Sequence, residues 1–598
     1  RRSLALAAAI GSILGAATPI AAQDQASTSR TSAGIEQVIV TATRREESLQ
    51  SVPLAVSAVT AESLEARNVR TLADLSAGSI PSTVFTEFSG GSGTLAISVR
   101  GVGLSDPTQG TTELTVPVYI DGIFLGRAQG LGLDLIEPER VEILRGPQGQ
   151  LFGRNAEGGV VQYVSRKPSG EFDLKGSVSY GDYDDQRYKL SVDLPKVAGF
   201  STQLSGIVHK HDPYTEMSEV SRYAGGAAPP GPNHGHLELD TKGFRGAVRW
   251  QNEGAFTADY SYDYSDSFQT EGYLTWLDVD VVRPAFSLQA PGDDYLDTTN
   301  QRLFNLGFDV ETSGHNLTLA WDVSDAVTLK SLTAYREASR HGGNSLGASL
   351  VGGGSSTGLV YTWSREDLDQ DQTSQEFQFI GSWERFDLTA GAIYFNEQID
   401  DGRTSNVTGP GLTAPALGLA AGLVAFGCVG RDPCPTTNTV SESETDSYGI
   451  YAQGSFRPAA FDEKLELTLG LRYTDDKKEA TRLFNNVGPY PVPADFSTSR
   501  VDPAASIKYQ WTESLQTYVR YATGYRAGGA NVRSSQFTSF DEEENEAWEL
   551  GLKSQVFDGR LQMNFALFHT TVKGEQLNIQ EQPTTNPSLT DTVNAVND

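Results

Sequence analysis

Basic residues are scarce: 46 Lys and Arg stand against 76 Asp and Glu in 598 residues, a formal net charge of −30. With no basic patch to offset that excess, nucleic-acid binding is excluded. Cysteine and methionine each occur only twice. The cysteines, Cys428 and Cys434 in "FGCVGRDPCP", have turn formers between them. That suits a small loop disulfide in an oxidising compartment, and it disfavours a metal pair, since no other Cys exists and no His is near. Beyond the N-terminus there is no apolar run long enough for a spanning helix. A Gly-x4-Gly-Lys-Ser/Thr loop is absent, and the one long Gly-rich segment runs into "VVQYVS", a strand, not the helix a dinucleotide fingerprint needs. His-Glu-x-x-His and Gly-x-Ser-x-Gly are missing too, so neither an enzyme nor a cofactor is expected.

Glycine and aromatics are plentiful, with 61 Gly, 23 Tyr and 26 Phe, and they point to a mainly β architecture. "RRSLALAAAIGSILGAATPIAA" reads as a secretory signal over residues 1–22, cleaved after Ala22, so the chain is exported. A polar tail follows over 23–50. Inside it "EQVIVTA", Glu36, Gln37, Val38, Ile39, Val40, Thr41 and Ala42, is β-branched in the middle and suited to extended backbone. An exposed strand-former in a polar tail fits β-augmentation of a partner's sheet edge. The plainer reading makes it the first strand of the next domain.

Residues 51–168 have the texture of a compact α+β domain. "TAESLEARNVRTLADLSAG" predicts a helix with Thr60 as N-cap and Glu62 in its first turn. Short strands follow, punctuated by Gly and an Asp121-Gly122 turn. From 169 to 598 the chain is a series of period-two segments. In "KLELTLGLRYT" Leu465, Leu467, Leu469, Leu471 and Tyr473 share one face, and Glu466, Thr468, Gly470 and Arg472 the other. Tyr260, Tyr262 and Tyr264 form a similar stripe, expected to face lipid. Short connections such as "PKVAG" and the "VFDGRLQ" hairpin alternate with long ones, about 212–238, 266–315, 338–371 and 399–445. Sorting of loops by length marks an outer-membrane barrel and not a soluble sandwich. About fifteen strands are countable.

"VRGVG", "VPVYIDGIFLGR" and "IEPERVEILRGPQGQLFGRNAEGGVVQYVSRKP" resemble the plug domain of TonB-dependent outer-membrane receptors. "TLKSLTAYR", "QEFQFIG", "GLRYTDDKK", "YATGYRAGGAN" and "ENEAWELGLKS" resemble the barrel of the same family. The plug motif covers Arg100, Gly101, Asp121, Gly122, Arg145, Gly146, Pro147, Gly153, Arg154, Asn155, Gly158 and Gly159. Glu157 departs from the pattern, standing where many members have a small hydroxyl residue. The resemblance implies a transmembrane antiparallel barrel of about 22 strands around an N-terminal plug. On that count the chain is expected to be truncated at its C-terminus.

The resemblance further implies that Glu36–Ala42 is the TonB box, reached from the periplasm by TonB with ExbB and ExbD. Residues 23–35, between the expected cleavage site and the box, leave no room for an extra signalling domain, so none is expected. It implies a monomer in the Gram-negative outer membrane that imports a scarce ligand, a ferric siderophore foremost. A corrinoid, haem, an oligosaccharide or an aromatic compound is the alternative ligand, and a passive porin or a non-functional fragment the alternative role. Plug arginines meeting barrel carboxylates are expected among Arg100, Arg145, Glu376 and Glu549, with Arg145–Glu549 as the first pairing. His209, His211, His234 and His236 are weak candidates for a metal or haem site beside one extracellular loop; solvated histidines are the preferred reading. The acidic run Asp541–Glu546 is read as a solvated face.

Overall fold

The structure, a computed structural model, describes residues 38–594 except 77, 79, 89–92, 105, 218–233, 253, 273–297, 300–304, 352–357, 409–433, 486–490, 533–536, 558 and 582–588. The signal segment, Glu36, Gln37 and Cys428 lie outside the described residues, and so does the side chain of Cys434, which leaves the disulfide expectation there too. The chain divides into two units. One is Gln37–Ser554 with Met563–Asp598 and holds the plug and its surrounding sheet. The other is Arg1–Glu36 with Gln555–Gln562, of which only the turn region around Gly559 is described.

The plug begins with a two-residue hairpin, β1 (Ile39–Val40) against β2 (Glu47–Ser48). Then come β3 (Val56–Thr60) and α1 (Ala61–Ala66), whose Thr60 side chain accepts from Ser63 N as an N-cap. The helix is shorter than the sequence suggests. It stops at Asn68, which takes a left-handed φ of 52°, and the remaining apolar positions continue as a 3-10 turn over Ala73–Ser76. β4 (Thr83–Glu87), β5 (Leu95–Val99) and β6 (Val102–Gly103) form a small antiparallel sheet. β7 (Val118–Ile120), β8 (Ile123–Leu125), β9 (Pro138–Arg145) and β10 (Gly159–Ser165) join β3 in the order β3-β9-β10-β7-β8. α2 (Gly149–Phe152) lies between β9 and β10. Leu64, Leu75, Phe85, Leu95, Val141, Ile143 and Val161 close the plug core. Each such side chain contributes about 1.5–3 kcal/mol by leaving water.

Fifteen antiparallel strands follow in chain order as one sheet. The first five are β11 (Asp173–Tyr180), β12 (Gln186–Val197), β13 (Phe200–His211), β14 (Leu239–Gln251) and β15 (Phe256–Gln269). Next are β16 (Gly307–Ser324), β17 (Val327–Val351), β18 (Gly358–Ser382), β19 (Phe386–Thr408) and β20 (Cys434–Phe456). Last come β21 (Leu465–Asn485), β22 (Val492–Thr512), β23 (Leu515–Arg526), β24 (Glu543–Val556) and β25 (Leu561–Lys573). Alternation decides which side meets what. On β21 Leu469 (70% exposed), Leu471 and Tyr473 point outward, while Arg472, Thr474, Asp476 and Lys478 are buried against the plug. Tyr260 is outward as well.

Parts of two expected loops are strand. β17 and β18 stay paired out to Val351↔Gly358, and β19 and β20 out to Val407↔Cys434. Above the bilayer both faces of a ladder are wet, so the apolar alternation fades from the sequence while the backbone pairing continues.

Candidate functional site

The sheet meets the plug through charge. Arg166 reaches Asp193 on β12 at 2.7 Å, and Arg245 on β14 stands 3.5 Å from Asp121 in the β7–β8 turn. Toward β19 and β21 the contacts are drier and denser. Arg127 donates to both oxygens of Glu397 on β19, Nε to Oε1 at 2.8 Å. Glu113 is the node: Arg127 and Arg154 each stand 3.2 Å away, Lys478 of β21 bonds it, and Asn155 Nδ2 donates at 2.7 Å. Burial alone would lift the Glu113 carboxyl, but Arg154, Lys478 and Arg127 hold it well below the usual carboxylate range. Arg154 also faces Asp476, which accepts from Tyr525 Oη at 2.6 Å.

Of the expected partners, Glu549 pairs with Arg100 and not with Arg145. Glu549 accepts in addition from Tyr518 Oη at 2.6 Å and from Ala55 N at 2.9 Å. Arg145 donates instead to the Pro81 carbonyl at 3.3 Å. The cause is local. Gly146 has φ 82°, and a Cβ on it would lie 2.6 Å from Arg100 Nη1, so the missing side chain leaves room for Arg100 to cross. Gly153, φ 80°, does the same for the Arg472 guanidinium.

Glu376 meets the plug through a residue the sequence reading passed over, Arg44, at 3.7 Å. Tyr451 Oη donates to Glu376 at 2.6 Å. Burial works against the Arg44 charge, yet Glu376 and its neighbours hold the guanidinium above its ordinary value. Its plane lies over Phe152 and Tyr119, centroids 4.5 and 5.1 Å away. Arg127, beside Gly126, and Glu397 and Lys478, on the inward parity of strands, left a signal in the sequence; Arg44 and Glu113 left none.

Val38–Ala42 is not the free peptide that the sequence suggests. Val40 and Ala42 are buried among Tyr119, Leu144, Leu151, Phe152, Phe395 and Tyr451. Thr41 N donates to the Glu142 carboxylate at 2.9 and 3.0 Å, and Thr41 Oγ1 at 3.1 Å. An apolar strand flanked by a buried carboxylate has a better partner at hand than water, so Val38–Ala42 docks on the plug.

Glu157 is fully buried, and neither carboxyl oxygen has a hydrogen-bond partner; Arg526 Nε is 3.6 Å off. Burial pushes this carboxyl well above the usual range, against the pull of Arg526. Within the acidic run Asp541–Glu546, Glu543 is buried and paired with Arg526, so it is not a solvated face throughout. The four histidines do not converge. His209 sits between Asp134 and Asp185, His211 stacks on Tyr214, His234 meets Glu238, and His236 bonds the Glu271 carbonyl. Among the described residues no group of three His, Cys, Asp or Glu side chains could hold a metal.

The sequence profile of the TonB dependent receptor-like β-barrel matches residues 243–597, and that of the TonB-dependent receptor plug domain residues 48–160. The chain belongs to the TonB-dependent receptors. Members of this family are transport receptors rather than enzymes, and this receptor is a protein of the Gram-negative outer membrane. The metal-pseudopaline receptor CntO of Pseudomonas aeruginosa is 24% identical over 461 residues, 73% of this chain and 57% of that protein. The catecholate siderophore receptor Fiu of Escherichia coli is 25% identical over 508 residues, 77% of this chain and 62% of Fiu. The chain thus spans less than two thirds of the length of these relatives. In fold it resembles the ferric yersiniabactin uptake receptor FyuA of Yersinia pestis, with TM-score 0.67, 16% identity and coverage of 88% of this chain and 73% of FyuA.

Proposed function

We propose that this receptor binds a small iron-chelating ligand, a ferric siderophore, at its extracellular side and imports it when TonB pulls on Glu36–Ala42. The observation that carries the reading is mechanical continuity. The box segment is fastened to Glu142 and packed on Tyr119 and Phe152, and the residue two places on, Arg44, is paired with barrel Glu376. A pull on Val38–Ala42 therefore reaches the plug sheet and the barrel wall together. Charge-assisted hydrogen bonds, short and directional, hold until geometry is lost and then give way as a group. The relatives named as siderophore receptors favour iron chelates over corrinoid, haem, oligosaccharide or aromatic cargo. In this reading the plug, 51–168, is the gate, and ExbB and ExbD stand behind TonB.

The test is deletion of Glu36–Ala42 in the intact gene, with uptake of radiolabelled ferric siderophores measured in energised cells. Import is expected to be lost while ligand binding at the cell surface persists. Uptake that survives the deletion overturns TonB coupling and returns the passive porin. Loss of uptake with no surface binding of any iron chelate overturns the siderophore assignment alone.

A further inference from the structure

Another fastening lies at the end of the barrel with the short turns, the periplasmic end, and the proposed import leaves it unused. Residues 43–54 cross that end on the way from the box segment to β3. Three of their successive carbonyls are held by barrel side chains. Lys553 Nζ of β24 donates to the Leu49 carbonyl at 2.7 Å, Gln516 Nε2 of β23 to that of Gln50, and Lys508 Nζ of β22 to that of Ser51 at 3.1 Å. Gln50 Nε2 reaches on to Asn564 Oδ1 of β25 at 3.2 Å. We propose that Lys508, Gln516 and Lys553 are a latch that holds residues 43–54 shut, as a door, over a polar cavity inside the wall. Use of that cavity as the way out for a hydrophilic chelate rests on the import reading above; the latch does not.

The cavity lies between two decks, as the inward residues of β22 and β23 show rung by rung. On β22 they climb from Lys508, which grips the door, through Ser506 to Asp502, whose carboxyl lies beside Gly149 of α2. On β23 Gln516 grips the door, and higher up Arg520 donates to the Pro147 carbonyl at 3.0 Å. Between the decks is a cavity of about 200 Å³, with Gln148, Gln150, Gln453, Ser455, Thr468 and Ser506 in its wall. Gln150 and Ser506 are buried, yet Gln150 Oε1 and Ser506 Oγ meet no hydrogen-bond partner. Buried polar atoms rarely stay unpaired, so this wall suits water and a hydrophilic solute, not an apolar one.

The door is built to come away without the plug sheet. Among the described residues no backbone hydrogen bond ties residues 43–54 to that sheet; the first is at Ala55, whose carbonyl accepts from Arg145 N at 3.0 Å. Leu49, Val52 and Leu54 rest on the plug through apolar contact, which is non-directional. The directional holds all belong to the barrel wall: Glu376 and Asp387 on Arg44 and Arg45, then the three donors on the carbonyls. A pull from the box end loads Leu49, Gln50 and Ser51 in that order, one bond at a time, and β3 keeps its place.

Thiol labelling reads the door directly. Ser506→Cys, in a Cys428→Ser and Cys434→Ser background of the intact gene's product in bilayers, puts one thiol between the decks. N-ethylmaleimide is expected to label it slowly. Gln516→Leu is expected to speed labelling roughly 3- to 10-fold, the worth of one hydrogen bond, and Gln516→Leu with Lys553→Met roughly 10- to 100-fold. Neither residue lines the cavity, so the gain reports the door and not a widened wall. Hydrogen-exchange protection of β9 and β10 is expected to stay unchanged, and peptides from β19–β21 report that each variant is folded. In energised cells the thiol is expected to label faster than after the proton gradient is collapsed. Labelling indifferent to both variants, or a loss of β9–β10 protection that matches the gain in labelling, overturns the door. Faster labelling in the variants with no response to the proton gradient upholds the door and overturns TonB coupling.

Discussion

Glu113 and Glu157 are both fully buried carboxyls of one plug, yet they are opposites. Three cations and an amide surround Glu113; Glu157 has one guanidinium at 3.6 Å and no hydrogen bond. Burial is the same, so burial does not assign the role. The number of donors facing the carboxyl does: one group locks plug to barrel, and the other, pushed above the usual range by burial, meets no donor.

The largest break in that comparison should come from Glu113→Ala. It strands Arg127, Arg154 and Lys478 in a dry interface, and is expected to cost the plug about 3–5 kcal/mol. Exchange protection across β7–β10 should collapse while the barrel strands stay protected. Arg100→Met removes one of the three donors to Glu549 and is expected to cost about 2–3 kcal/mol, read in the same assay. Glu157→Gln should act the other way, adding roughly 1–2 kcal/mol at neutral pH by sparing an unsatisfied carboxylate.

The pH slopes sharpen the contrast. The raised Glu157 carboxyl contributes stability that is complete below the ordinary range near ~4.3 and is lost as pH rises through its raised folded value. The depressed Glu113 carboxyl contributes stability present above that range and lost as pH falls through its lowered folded value. Denaturation of plug reporters across pH should show both limbs in the wild type and only the acid limb in Glu157→Gln. The smallest effect is expected for Arg45→Ala, whose pair with Asp387 is partly solvated and worth at most about 1 kcal/mol.

How legible was this? The strands were readable because a bilayer imposes alternation, and Leu467, Leu469 and Leu471 obey it. The plug was readable because its glycines sit where arginines cross, as Gly146 does under Arg100. Extramembrane ladders such as Ala338–Val351 were not, since water on both faces removes the apolar parity. Pairings were not either: nothing local tells Glu549 to choose Arg100 over Arg145, because the choice is made by three-dimensional clearance. The docking of Val38–Ala42 was hidden for the same reason, its partner Glu142 being 101 residues away.

Those separations carry a consequence for assembly. Arg127 finds Glu397 270 residues on, Arg100 finds Glu549 449 residues on, and Lys553 donates to the Leu49 carbonyl across 504 residues. The plug is synthesised first, yet none of these long-range pairs can form until β19 or β24 has been laid down. Contacts of such high sequence separation make folding slow. They also make it self-checking: a strand paired one residue out of register would turn its own inward carboxylates to the lipid side. The plug would then keep buried arginines with nothing to bind, at about 3–5 kcal/mol each. The plug thus fits only a wall whose strands stand in register.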